Sequence, residues 1–94
     1  MSAYHEDTKD RLILNLTRMT NDETLRWEEF SDGSYLGILW TGTIQSKFII
    51  EPLHGTKTTI KVNVGTDKAT NVRVTMQNGL QQLYDAIGRK KKIC

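Results

Sequence analysis

The residue types that most often carry catalysis are few and scattered in this chain. The two histidines are His5 and His54, and the one cysteine is Cys94, the last residue. A Cys/His nucleophile pair or a four-ligand zinc site needs more such side chains, or a closer grouping of them. Glu28 and Glu29 are adjacent, so a strand would point them to opposite faces, which argues against a paired-carboxylate acid and base. We therefore predict a protein that is not an enzyme and uses no metal or cofactor.

A run of positive charge near the C-terminus is the strongest local signal. Residues 89–92 read Arg-Lys-Lys-Lys, and consecutive cations can contact phosphates with an affinity that falls with salt. Three more cations fall on the predicted polar face of a sheet. The residues of this predicted nucleic-acid-binding surface are Lys47, Lys61, Arg73, Arg89, Lys90, Lys91 and Lys92. The plainer interpretation is that the run complements the negative end of a helix and keeps a small domain soluble.

Charge is divided unevenly along the chain. Residues 1–46 carry eight acids and four bases, whereas residues 47–94 carry three acids and nine bases. The formal net charge is +2. Such an imbalance concerns partners and association rather than the fold.

Length and composition predict one small domain. A chain of 94 residues buries only about 60–65% of its unfolded surface, which leaves no room for a second core. Hydrophobic residues make up 37% and charged residues 26%, and no apolar run reaches the roughly 18–20 residues of a membrane span. No apolar secretory segment is visible, so we expect a cytoplasmic protein that does not act at a membrane. We assign residues 1–94 to a single domain, with 89–94 as a basic C-terminal extension.

Both ends of the chain predict amphipathic helices, because apolar residues recur there with helical spacing. The stripes are Leu12, Ile13, Leu16 and Met19 in the first helix and Leu80, Leu83, Tyr84 and Ile87 in the second. We expect the first helix to span about residues 6–19. Asn78 and Gln81 have the spacing of a capping box for the second helix, which we expect to end near Gly88.

Between the helices the hydrophobic period changes to two. Segments 24–30, 35–41, 44–51, 58–64 and 70–76 predict five strands joined by short turns, which favours an antiparallel meander. The predicted fold is a single α+β domain of order α-β-β-β-β-β-α, with both helices packed on one face of the sheet. A small five-stranded barrel with flanking helices is the alternative.

The second predicted strand is apolar on both sides, so its pattern does not show which side faces the helices. We assign Leu36, Ile38 and Trp40 to the helix-covered face, with both tryptophans turned inward. The opposite face of the sheet would then carry an uncovered apolar and aromatic patch of the kind that anchors protein interfaces. The predicted protein-interface residues are Phe30, Tyr35, Leu39 and Ile49.

This layout is similar to that of many small uncharacterised bacterial and phage proteins, and the string Gly-Leu-Gln-Gln-Leu-Tyr-Asp-Ala-Ile at 79–87 resembles their closing helix. The resemblance implies an architecture and a microbial or phage origin, and no mechanism. From the uncovered apolar patch and the lack of a catalytic constellation, we expect a macromolecular binding module that acts on a protein partner or on itself, as an adaptor, inhibitor or small subunit. Nucleic-acid binding through the basic residues is the alternative.

Overall fold

The chain folds as a helix, five strands and a closing helix, which confirms the predicted α+β order. The computed structural model describes residues 2–91, and the side chains of residues 8–90. The elements are α1 (Ser2–Asn21), β1 (Arg26–Glu29), β2 (Tyr35–Thr41), β3 (Ile44–Ile50), β4 (Lys57–Val64), β5 (Thr70–Thr75) and α2 (Leu80–Lys91). A short 3₁₀ turn, Met76–Asn78, connects β5 to α2.

The five strands form one antiparallel sheet in chain order, β1-β2-β3-β4-β5. β1 and β5 are its two edges and do not pair with each other, so the sheet is open and the barrel alternative is wrong. The shortest connection between two strands joins β2 to β3, where Thr41 pairs with Ile44 across a two-residue loop. Gly42 occupies the left-handed region in this loop, with φ 64°, a conformation in which a side chain would be strained.

The core lies between the two helices and one face of the sheet. Its buried apolar side chains are Ile13, Leu16, Leu25, Phe48, Ile50, Ile60, Val74, Leu80, Leu83, Ala86 and Ile87. Two buried threonines of α1 are satisfied within their own helix, since Thr17 and Thr20 each donate to the carbonyl four residues earlier, at 2.7 Å. The helices therefore bury their apolar stripes without leaving these hydroxyls unpaired.

The residues predicted to cap α2 have a different role. Asn78 belongs to the 3₁₀ turn before the helix, where its Oδ1 accepts from the backbone N–H of Thr75 at 2.8 Å. Its Nδ2 donates to Oδ1 of Asp10 in α1, also at 2.8 Å. Gln81 bonds forward to Asp85 rather than back to Asn78. The predicted capping box is wrong, and Asn78 instead connects the end of the sheet to α1.

The closing helix runs past its predicted end. α2 continues through Gly88 to Lys91, where we expected a stop near the glycine. The backbone of Gly88 does not have a positive φ, so this glycine does not form the left-handed cap that ends many helices. Two side chains beyond Gly88 hold the added turn against the end of α1 and the turn that follows it: Arg89 donates to Asn21 at 3.1 Å and Lys90 to Glu23 at 3.2 Å.

The second strand faces the opposite way from our prediction. Tyr35, Gly37 and Leu39 lie towards the helices, while Leu36, Ile38 and Trp40 lie on the other side of the sheet. Trp40 is 59% exposed, so only Trp27 of the two tryptophans is turned inward. The reason is steric, because the Trp27 ring fills the space above Gly37 and a Cβ at that glycine would approach the ring to 2.7 Å.

Candidate functional site

The face of the sheet away from the helices, here called the open face, is assembled from alternate residues of all five strands. Cross-strand pairing places its members in rows. One row runs Glu28, Leu36, Ile49, Lys61 and Asn71, and the next runs Arg26, Ile38, Lys47 and Asn63. Trp40 and Gln45 pair at the end of β2, and Thr59 and Arg73 pair across β4 and β5.

An apolar stripe occupies the centre of the open face. Its four members, which define the stripe, are Leu36, Ile38, Trp40 and Ile49. Leu36, Ile38 and Ile49 are half-buried among their neighbours, whereas Trp40 is the most exposed of the large hydrophobic side chains whose burial is described. Arg26, Glu28 and three stripe residues line one shallow depression over β1 and β2. The stripe is thus a continuous apolar surface rather than a set of scattered side chains.

Charges of both signs border the stripe. Arg26 and Glu28 lie on its β1 side, and Lys47 and Lys61 lie on its β3 and β4 side. Lys61 Nζ is 3.7 Å from a carboxylate oxygen of Glu51, with both side chains more than two-fifths exposed. An exposed pair of this kind is weak, so Lys61 can turn to another acid at little cost.

The predicted interface residues are only partly brought together. Ile49 lies on the open face, as expected, and Phe30 is 45% exposed at the turn after β1. Tyr35 and Leu39 pack against the core, so placing them on the uncovered side was wrong. The Tyr35 ring lies 5.9 Å from that of Tyr84 in α2. Burial, with a smaller contribution from Tyr35, raises the pKa of Tyr84, as expected for a phenol kept from water.

The predicted basic surface is divided between two sides of the molecule. Lys47, Lys61 and Arg73 share the open face. The Arg89 and Lys90 side chains bond to the last residue of α1 and to the turn after it, on the side of the molecule where the helices cover the other face. Lys91 is the last helical residue, with a side chain outside the described part, and Lys92 lies outside the described residues.

A second concavity lies where the two helices end beside β1. It is lined by Thr20, Glu23, Leu25, Arg26, Trp27, Ile87 and Lys90. Trp27 Nε1 donates to Oγ1 of Thr20 at 2.8 Å at this point, so the indole is held in place. Among the described residues no three His, Cys, Asp or Glu side chains are grouped as a metal site would require. None of the described helices has the length and apolar character needed to cross a bilayer.

The placement of Leu36, Ile38 and Trp40 on the open face was missed, although the sequence contains a signal for it. A two-residue loop at 42–43 makes Gly37 the partner of Phe48 and Leu39 the partner of Ser46. Paired residues share a face, and a shift of one residue moves every side chain to the other face. Once Phe48 is assigned to the core, the short turn therefore places Gly37 there too. Our assignment of Trp40 to the same face as Phe48 is incompatible with that loop length.

Comparisons with known proteins identify no relative: no protein-family model, curated protein or solved structure matches the chain.

Proposed function

We propose that this protein is a non-enzymatic module that binds another protein through the open face. The observation that carries the proposal is the exposed indole of Trp40 in a continuous apolar stripe, on the one broad face of the sheet that the described helices leave uncovered. Tryptophan is among the residues most enriched at the energetic centres of protein interfaces. Half-buried Leu36, Ile38 and Ile49 beside it supply the apolar contact area.

Charges of both signs around the stripe fit a protein partner. Glu28 lies in the same row as Lys61, and Glu51 lies beside Lys61. Both acids lie on a face that also carries Arg26, Lys47 and Arg73, and a protein partner can place opposite charges against both signs. The arrangement of an apolar centre with a mixed polar border is typical of a non-obligate interface. An adaptor, an inhibitor or a small subunit working in the cytoplasm would fit this description.

The test compares two exposed hydrophobic residues on opposite sides of the molecule. Wild type, Trp40→Glu and Leu14→Glu are used as immobilised baits in nuclease-treated extract. Leu14 is a matched control because it is exposed on α1, 44% accessible, away from the sheet. We expect a protein retained by wild type and Leu14→Glu and lost by Trp40→Glu. Equal retention by all three baits would remove the open face as the binding site.

A second candidate function is binding of single-stranded nucleic acid. The specific observation in its favour is that Trp40, Lys47 and Asn63 line one depression, so a base stacked on the indole would place its phosphate near a cation. Binding of labelled oligonucleotides should then fall steeply with salt and drop in Lys47→Gln. Binding that is undetectable at low salt would eliminate this candidate.

A further inference from the structure

We propose that the protein on the open face is a second copy of this chain, packed face to face about a two-fold axis that runs parallel to the strands between β2 and β3. The inference rests on the proposed function and names its partner. It comes from one cross-strand row of the open face, which has an acid at one end and a base at the other. When a second copy of the row is laid over it in reverse order, each acid meets a base.

The row concerned begins with an acid and ends with a base. Glu28 in β1 pairs with Leu36 in β2, which pairs with Ile49 in β3, which pairs with Lys61 in β4. Rotation about the proposed axis places the same row of the second copy at the same height along the strands, with its residues in reverse order. Glu28 of each copy therefore faces Lys61 of the other, and Leu36 faces Ile49. Each dimer gains two ion pairs around two apolar contacts.

The neighbouring row is compatible with the same rotation. Its order is Arg26, Ile38, Lys47 and Asn63, so reversal sets Arg26 against Asn63 and Ile38 against the aliphatic stem of Lys47. Asn63 uses its Nδ2 to donate to the carbonyl of Asp67 at 2.8 Å, which leaves its side-chain oxygen to accept from an arginine. No two like charges face each other in either row.

The sheet geometry allows this pairing. Stacked sheets lie about 10 Å apart with their strands rotated by about 30°. β1 and β4 stand one and a half strand spacings from the axis, about 7 Å, so the rotation displaces their residues by about 4 Å, which the long lysine side chain can span. β5, with Arg73, lies beyond the overlap. If the partner were a different protein, nothing would require Glu28 and Lys61 to lie at equal distances from one axis.

A charge swap tests the proposal, because Glu28 and Lys61 cannot meet within one chain. They are separated by three strand spacings, about 14 Å. Sedimentation equilibrium is measured for wild type, Glu28→Lys, Lys61→Glu and the double variant, with thermal melting to show that each is folded. Lys68→Glu is the control for a reversed charge outside the strands.

The expected result is a dimer for wild type and Lys68→Glu, a dissociation constant about tenfold or more weaker in each single variant, and recovery in the double variant. A wild type that is monomeric up to its solubility limit overturns the proposal, and so does a dimer that none of the changes weakens. Weakening by both single variants without recovery overturns the two-fold arrangement. A monomer that retains another protein through Trp40 would leave the proposed function standing while this inference fails.

Discussion

The two faces of this sheet use similar residues for different purposes. On the helix-covered face, Phe48 and Ile50 are buried against α1 and α2. On the open face, Leu36, Ile38 and Ile49 are as apolar but remain half-buried, and Trp40 is largely exposed. The open-face side chains contribute little to the stability of a single monomer, because they are only partly buried in it. The difference teaches that apolar content alone does not locate a core, whereas pairing register does.

The largest effect is expected from truncating matched isoleucines on the two faces. Ile50 is fully buried and Ile49 is its half-buried neighbour. Ile50→Ala should lower the free energy of unfolding by about 2–5 kcal/mol, because it removes buried methyl groups and leaves a cavity. Ile49→Ala should cost about 1 kcal/mol or less in the monomer. Urea denaturation measures both, and equal losses would show that the faces are not distinct.

A smaller loss is expected from adding one methyl group at the core side of β2. In Gly37→Ala the new Cβ would lie 2.7–2.9 Å from three atoms of the Trp27 ring, and the ring is held by its bond to Thr20. Such overpacking costs about 1–3 kcal/mol.

Gly88→Ala is the control for the same chemical change in open space. Apart from its two chain neighbours and the backbone of its own helix, no atom lies within 4 Å of the Cβ that it adds in α2, so it should stabilise the helix by about 0.5–1 kcal/mol. If Gly37→Ala also stabilised the protein, β2 would not face the helices as described.

The hydrogen bond that positions Trp27 should contribute less. Thr20→Val keeps the shape of the buried side chain but removes the acceptor of the indole N–H, which should cost about 1–2 kcal/mol. Thr17→Val is a matched control on the same helix, because its described bond is to the carbonyl of Ile13. Thr20→Val should lower the free energy of unfolding more than Thr17→Val does. The Trp27 indole proton should shift in NMR spectra only for Thr20→Val. Identical behaviour of the two variants would contradict the anchoring role.

The smallest effect is expected at the turn that starts β2. Oδ1 of Asp32 accepts from the hydroxyl of Ser34 at 2.6 Å and from its N–H at 2.9 Å. These bonds hold the pKa of Asp32 below its ordinary value of 3.8. A lowered pKa in the folded state means that the contribution is full above about pH 4 and is lost as the pH falls below it. The Ser34 amide resonance should follow this titration, and in Asp32→Asn the titration should disappear.

Much of the fold follows from sequence because period-two and period-3.6 patterns constrain each element locally. Apolar and polar residues alternate strictly from Ile60 to Val64. Ile60 and Val62 face the core as predicted, whereas Val64, the last residue of β4, is 44% exposed. The pattern of β2 is ambiguous because all its residues from Tyr35 to Trp40 are apolar or glycine. Local pattern cannot orient such a strand, and only the length of the neighbouring turn or the packing of Trp27 can do so.

The sequence predicted only part of the candidate site. Ile49 and the cations Lys47 and Lys61 fall on the open face because β3 and β4 alternate clearly. Trp40 could not be placed without the register. Contacts between distant segments, such as Asn78 with Asp10 and Arg89 with Asn21, carry no sequence signal, since the partners are 68 residues apart and are brought together only by tertiary packing.

Fluorescence quenching of single-tryptophan variants tests the orientation of β2, on which the open face depends. Trp27→Phe leaves Trp40 as the emitter, and Trp40→Phe leaves Trp27. In dilute solution, where copies are dissociated, Trp40 should emit at long wavelength and be quenched by acrylamide nearly as readily as free indole, while Trp27 should be protected. A protected Trp40 and an accessible Trp27 would place the core on the other side of β2 and contradict the account.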